Sequence, residues 1–291
     1  MQYKSPVKII SSFLHENEDL RNISPGTIKK RILAEFELSD AITLNTPVGN
    51  FSKSDLLSYL DNFKTDENLE FHFTIASNPL LLDFLETNSP SGNLIFEDPA
   101  FKNQDFAKFL SPYLAHSLGY FFAACISDTN LPILRVNKAP VFILAEDEPV
   151  MIQMVHNAVD GILADLESVE NELPSTHRLQ QASKYFSSRL IRILNLLPRY
   201  YFSGLNDMYA KYGYKYIVAI LKSKPKQVNY VGYCHKILER LLVLNVSSEI
   251  KSELVKLNFA FNRAKSGRRT KRTILIVLAL VVLLKFCAAL V

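Results

Sequence analysis

Apolar residues recur every three or four positions along most of the chain, which is the spacing of one helix face. Ile28, Ile32 and Phe36 follow this spacing after a Ser-Pro-Gly turn signal. Residues 41–51 instead read as two short extended pieces around a turn that contains Pro and Gly. The pattern therefore predicts a helix, a small hairpin and a second helix over residues 26–64.

Beyond this unit the apolar periods predict helices separated by loops. Residues 69–76 fit a strand or a helix, and two short extended runs are expected within residues 131–145. Residues 104–127 are apolar on most sides but are interrupted by a lysine, a proline and a histidine, so a buried core helix is expected there rather than a membrane span. Further helices are predicted near residues 77–86, 148–172, 175–197, 199–222, 227–242 and 246–265.

The last 19 residues, Thr273–Val291, contain thirteen Leu, Ile, Val or Phe residues and one charge, Lys285. As a helix they would reach about 28 Å, close to the hydrocarbon thickness of a bilayer. The apolar residues favour insertion by roughly 4–8 kcal/mol, which outweighs the roughly 3 kcal/mol that a lysine costs at the bilayer centre. The segment is therefore predicted to be a C-terminal transmembrane helix. The competing interpretation is a buried core helix, because the uninterrupted apolar run Ile274–Leu284 is short.

Basic residues flank this segment and predict its orientation. Four of them precede the apolar run: Arg268, Arg269, Lys271 and Arg272. The positive-inside rule places that side in the cytoplasm, and the first twenty residues lack a signal-peptide pattern, so the body is expected in the cytosol. Lys285 is interpreted as a residue that snorkels to the far headgroups. Alternatively, it lines a helix–helix contact or a small pore in an oligomer.

Charge is distributed very unequally between the two parts of the chain. Residues 1–177 carry a net charge of −13, whereas residues 178–291 carry +17. Eight of the thirteen tyrosines fall between Tyr200 and Tyr233. Six cations of this region are candidate contacts to an anionic surface or to nucleic acid: Arg199, Lys211, Lys215, Lys222, Lys224 and Lys226.

Three interpretations of the basic, Tyr-rich region remain open. It could lie on the anionic inner leaflet, where each nearby cation adds about 1 kcal/mol of attraction. It could pair with the acidic N-terminal part, within one chain or between chains. It could also bind single-stranded nucleic acid, since tyrosine offers a stacking face and lysine a phosphate contact. The predicted membrane anchor favours the first interpretation.

The sequence contains no diagnostic catalytic or metal-binding motif, so no cofactor, metal or catalytic residue is expected. Residues 141–154 resemble the start of a response-regulator receiver domain, but the stretch that would have to supply the later strand offers Asn195 where that chemistry needs an aspartate. An acidic first turn of a helix, stabilised by the helix dipole, is the favoured interpretation of these residues. If a catalytic site exists, three side chains are the first candidates: Glu146, Asp147 and His156. The adjacent Cys234 and His235 point about 100° apart on a helix and cannot form a nucleophile–base pair by themselves. The three cysteines are expected to be free.

The predicted fold is mainly α, a multi-helix cytosolic body with a minor β element and a single C-terminal transmembrane helix. Four segments are expected: a small acidic helix-hairpin-helix unit (1–90), an acidic helical core (91–177), a basic Tyr-rich helical region (178–267), and the basic flank with the anchor (268–291). The expected function is a tail-anchored, cytoplasm-facing scaffold that docks on anionic lipids and meets a protein partner or a second copy of itself. The alternatives are a membrane-localised nucleic-acid-binding protein using residues 199–236, an enzyme without a recognisable motif, and an oligomeric pore-forming effector.

Overall fold

The computed structural model describes residues 2–15, 18–65, 68–94, 96, 99–136, 142–171, 176–223 and 230–266. Across these ranges the chain is largely helical and contains one two-stranded hairpin. A mainly α-helical fold with a minor β element is therefore confirmed. Several predicted features lie outside the described residues: the transmembrane segment with Lys285, its basic flank, Lys224 and Lys226.

The helices and strands follow in chain order. They are α1 (Pro6–Ser11), α2 (Pro25–Ser39), β1 (Thr43–Thr46), β2 (Gly49–Ser52), α3 (Lys53–Thr65), α4 (Leu69–Ala76), α5 (Pro79–Thr87), α6 (Gln104–Ser127), α7 (Glu148–Asn171), α8 (Thr176–Ser183), α9 (Ser188–Leu196), α10 (Arg199–Phe202), α11 (Leu205–Ser223), α12 (Tyr230–Leu241) and α13 (Ser248–Ser266). Short 3₁₀ turns lie at Leu20–Asn22, Pro99–Lys102, Ile133–Val136 and Lys184–Phe186.

Local capping fixes where several of these helices begin. Ser5, Ser24 and Asn78 each accept a hydrogen bond from the backbone N–H three residues later, and each is followed by a proline. The side chain satisfies a donor that the first turn leaves without a partner, and proline lacks the N–H that would otherwise also need one. Asp40 and Asn88 end α2 and α5 in the left-handed conformation, which Asn and Asp adopt more readily than most residues.

The chain forms two compact units. The first contains the described residues up to Phe121 together with Leu134–Met151. Its N-terminal part packs α1, α2 and α3 around a cluster that includes Ile9, Ile32 and Leu60, each 1% exposed. The hairpin is antiparallel, with Leu44 opposite Phe51, and both side chains lie against this cluster.

The second unit contains Phe122–Ile133 and the described residues from Ile152 onward. Its core is centred on α11 and α12, against which α9 and α13 pack. Gly213 of α11 allows a close approach to Leu241 of α12, since an added Cβ would lie 2.8 Å from a methyl group of that leucine. Phe186 stacks on Tyr216 of α11, with ring centroids 5.6 Å apart, and so belongs to the same core.

Several predicted boundaries differ from the observed ones. The expected division near residue 90 stays a prediction. On the N-terminal side of that position α5 packs on α6, where Phe84 meets the ring of Phe121 edge-on at 6.1 Å. Residues 69–76 form a helix. The expected extended run at the start of 131–145 is wrong for the described residues: Ile133–Val136 is a 3₁₀ turn, held by the backbone N–H of Leu94, which donates to the carbonyl of Arg135.

Helix α6 is the one described helix that is long and apolar enough to cross a membrane, judged by length and composition. Of its most apolar 18-residue stretch, 61% is buried inside the protein. A core helix of a globular domain meets the same criteria. The prediction of one continuous helix over residues 104–127 is confirmed.

Candidate functional site

One face of α11 carries a row of lysines. Lys211, Lys215 and Lys222 are exposed and lie within about 40° of one another around the helix axis, given 100° per residue. None of the three ammonium groups forms an ion pair with a carboxylate of the described residues. Arg199, another of the predicted contacts, is exposed at the start of α10. We call Lys211, Lys215 and Lys222 the lysine row.

The tyrosines around this row divide between core and surface. Tyr209 and Tyr216 are 0% and 1% exposed, so neither ring is available for stacking on a ligand. Desolvation raises the pKa of both hydroxyls far above the usual tyrosine value. Tyr212 lies beside the lysine row, with the Lys215 ammonium 4.8 Å from its ring centre. The charge of Glu167, which also hydrogen-bonds the Tyr212 hydroxyl, raises the pKa of that tyrosine.

Helix α13, the last described helix, has an exposed face of mixed character. Val255 and Phe259, one turn apart, are 51% and 59% exposed. The Arg263 guanidinium lies over the Phe259 ring, 4.7 Å from its centre. Exposed apolar side chains flanked by cations are typical of helices that lie in the membrane interface. Only Gly267 separates the end of this helix from the basic flank of the predicted anchor.

A cavity of about 490 Å³ opens between α8, the start of α9 and α12. Its floor is apolar and consists of Leu179, Phe186 and Ile237, each at most 4% exposed. Two exposed cations of α12, Lys236 and Arg240, stand one helical turn apart on its rim. The described residues that line this cavity include no acidic side chain.

Hydrogen bonds position the polar groups around the cavity. The Arg240 guanidinium donates to the Ser188 hydroxyl in the first turn of α9. Ser187 caps the same helix by accepting the backbone N–H of Leu190 at 3.2 Å. Tyr233 donates its hydroxyl to the backbone carbonyl of Leu179 at 2.8 Å. Burial raises the pKa of Tyr233 to about 12, so this hydroxyl stays a neutral donor at physiological pH.

The structure describes the surroundings of each catalytic candidate. Cys234 is fully buried and its pKa is raised to about 12 by that burial, while His235 turns to Glu239, 3.5 Å from its Nδ1. Glu146 is exposed, and Asp147 accepts a hydrogen bond from Ser111. His156 is half-buried on α7, and the described residues contain no cluster of three or more His, Cys, Asp or Glu side chains able to hold a metal ion.

The patterns in the amino-acid sequence did not predict this cavity. Lys236 and Arg240 have the spacing of one helix face and Ser187-Ser188 is an evident capping signal, but about fifty residues separate the two features. Comparison of the chain with protein-family models, with curated proteins and with solved structures found no match.

Proposed function

We propose that this protein is a tail-anchored, cytoplasm-facing interaction protein whose basic helical unit docks on the anionic inner leaflet. The lysine row carries the proposal. Three ammonium groups on one face of α11, none of them in an ion pair with a carboxylate of the described residues, form a concentrated positive surface, and each cation near an anionic leaflet adds about 1 kcal/mol of attraction. In this proposal Thr273–Val291 spans the bilayer, Arg268, Arg269, Lys271 and Arg272 remain on the cytoplasmic side, and Lys285 reaches the far headgroups.

The exposed face of α13 supports the same orientation. Val255 and Phe259 would enter the headgroup region while Arg263 reaches the lipid phosphates. Because α13 ends at Ser266, seven residues before Thr273, an anchor in Thr273–Val291 holds the C-terminal end of this helix near the membrane surface. A protein partner or a second copy of the chain would then meet the acidic N-terminal part of the body, whose net charge anionic lipid repels.

Nucleic-acid binding by residues 199–236 has less support, because Tyr209 and Tyr216 lie in the core and cannot stack on bases. Tyr200, 81% exposed, remains available beside Arg199. Oligonucleotide binding that depends on both of these side chains would favour that alternative over lipid docking.

The anchor is tested by membrane fractionation of the full chain and of a chain ending at Gly267. We expect the full chain to stay in membranes through a carbonate wash, since a spanning helix is not released by high pH. The shortened chain should be released by high salt, which screens surface charge attraction. A full chain found in the soluble fraction would contradict the anchor.

The docking surface is tested by the adsorption of the chain ending at Gly267 to vesicles containing phosphatidylserine. The triple variant Lys211→Gln, Lys215→Gln, Lys222→Gln should bind roughly a hundredfold more weakly, because about 3 kcal/mol of attraction is removed. The matched control is Lys30→Gln, Lys53→Gln, Lys102→Gln, which removes the same charge from exposed positions of the first unit. Equal losses in both variants would show that net charge alone drives adsorption and would contradict the docking surface.

A further inference from the structure

The cavity between α8, α9 and α12 has two cations on its rim and no acidic side chain among the described residues that line it. Arg240 is hydrogen-bonded to Ser188 in the first turn of α9, where the helix dipole already places partial positive charge. Lys236 stands one turn away on the same rim. Glu239, the acidic residue between them in sequence, points toward His235 on another flank of α12. Cations next to a helix N-terminus favour an anion in the space that they enclose.

The donor set identifies the class of anion. Lys236 offers an ammonium, Arg240 offers a planar fork of N–H groups, and the Ser188 hydroxyl, which accepts from Arg240, can still donate its own proton. Several donors converging from different directions match a tetrahedral phosphate with three terminal oxygens better than a planar carboxylate. The apolar floor of Leu179, Phe186 and Ile237 then indicates a phosphate that carries an apolar group.

We propose that this cavity binds the phosphomonoester headgroup of an anionic phospholipid. The phosphate lies between Lys236 and Arg240, and the glycerol ester region covers the floor formed by Phe186 and Ile237. The lipid as the source of the ligand rests on the proposed function, since it requires the second unit to lie at a membrane. The shared chemistry, a phosphomonoester with an apolar attachment, would also admit a soluble metabolite.

Binding is measured by calorimetry on the full chain in a non-ionic detergent. The probes are dihexanoyl phosphatidic acid, dihexanoyl phosphatidylcholine and glycerol 3-phosphate. We expect saturable binding of phosphatidic acid at one site per chain, at least about tenfold weaker binding of glycerol 3-phosphate, and no saturable binding of phosphatidylcholine. The double variant Lys236→Gln, Arg240→Gln should weaken phosphatidic acid binding about tenfold or more, because two charge-assisted contacts are lost.

The matched control is Lys30→Gln, Lys53→Gln, which removes two exposed cations from the first unit and leaves both the cavity and the lysine row intact. It should bind phosphatidic acid like the unmodified chain. Because these short-chain probes test the cavity in detergent and not on a vesicle surface, the cavity proposal can stand or fail independently of docking through the lysine row. Equal weakening by both double variants would overturn the proposal that the cavity binds the lipid phosphate. Equal affinity for phosphatidylcholine would overturn the phosphate contact. Glycerol 3-phosphate binding as tightly as the lipid would assign the site to a soluble phosphomonoester and overturn the lipid source.

Discussion

The Ser111 hydroxyl joins α6 to the start of α7 through Asp147. It donates to the Asp147 carboxylate at 2.5 Å and accepts the backbone N–H of Leu144 at 2.8 Å. The acidic cluster that resembles a magnesium-binding strand end is therefore a turn that precedes a helix, with one carboxylate already engaged. Ser111 is fully buried, so water from the solvent does not readily take the place of its hydroxyl as a hydrogen-bond partner.

Replacing Ser111 with alanine should destabilise the protein by about 1–3 kcal/mol, because the Leu144 N–H and the Asp147 carboxylate lose a partner together. In thermal unfolding of the detergent-solubilised chain, this corresponds to a decrease of about 2–4 °C in Tm per kcal/mol. Ser127→Ala is the matched control in the same helix, since Ser127 is exposed and, among the described residues, its hydroxyl bonds only the carbonyl of Ala123. Equal Tm changes in the two variants would show that the Ser111 bridge contributes nothing to stability.

Replacement by alanine should change the Tm in opposite directions at Gly213 and Gly161. A Cβ at Gly213 would lie 2.8 and 2.9 Å from the two terminal methyl groups of Leu241, which is fully buried. Overpacking of this kind costs about 1–3 kcal/mol, and the better helix propensity of alanine offsets up to about 1 kcal/mol. Gly213→Ala should therefore lower Tm.

At Gly161 of α7 nothing lies within 4 Å of the added Cβ, so Gly161→Ala should stabilise the chain by about 0.5–1 kcal/mol. Thermal unfolding of the two variants side by side tests the packing of α11 on α12. A rise in Tm for both variants would contradict the close approach at Gly213.

Sequence signals that act within a few residues predicted the secondary-structure elements. The cavity, in contrast, depends on contacts between segments that are distant in the sequence. The apolar period of Ile28, Ile32 and Phe36 and the proline after Ser24 were sufficient for α2, because both act within a few residues. The predicted helix over residues 175–197 is interrupted at Ser187, whose side chain caps a new helix instead of continuing the old one. A serine allows either outcome, and the packing of Phe186 on Tyr216 favours the interruption.

The same argument explains why the lysine row was only partly foreseen. Lys211, Lys215 and Lys222 could be placed on one helix face from their spacing. The sequence could not show which tyrosines share the surface with them, because Tyr209 and Tyr216 are held in the core by ring contacts with Phe186, which lies 23 and 30 residues earlier in the chain. The spacing of residues predicts which of them share a helix face. Whether that face is buried or exposed depends on the segments that pack against it in the folded protein.

The ion pair between Glu18 and Arg31 makes the first unit sensitive to acid. The Arg31 guanidinium donates to Glu18 at 2.7 Å, and the backbone N–H of His15 donates to the same carboxylate at 2.8 Å. These contacts lower the pKa of Glu18 to about 2. Because the carboxylate is favoured in the folded chain, its contribution is complete above the unfolded pKa near 4.5 and is lost as the pH falls toward 2.

Thermal unfolding of Glu18→Gln between pH 7 and pH 2 checks this contribution. We expect the variant to have a lower Tm than the unmodified chain at pH 7 and the two Tm values to converge below pH 3. Glu37→Gln is the control, since Glu37 is exposed on α2 and makes no hydrogen bond or ion pair with the described residues. A difference for Glu18→Gln that stays constant from pH 7 to pH 2 would contradict the lowered pKa.

Buried thiols should make the folded protein resistant to thiol reagents. Cys125 and Cys234 are free and fully buried, which confirms the expectation for these two, while Cys287 lies outside the described residues. With its pKa raised to about 12, Cys234 is ionised roughly 10³-fold less at pH 8 than an ordinary cysteine, so it reacts slowly even with a reagent that reaches it. In a Cys287→Ser chain we expect no rapid reaction with a chromogenic disulfide reagent until guanidinium is added, after which two thiols per chain react together. Rapid reaction of one thiol in the native protein would show that α6 or α12 opens without global unfolding and would contradict the packed core of the second unit.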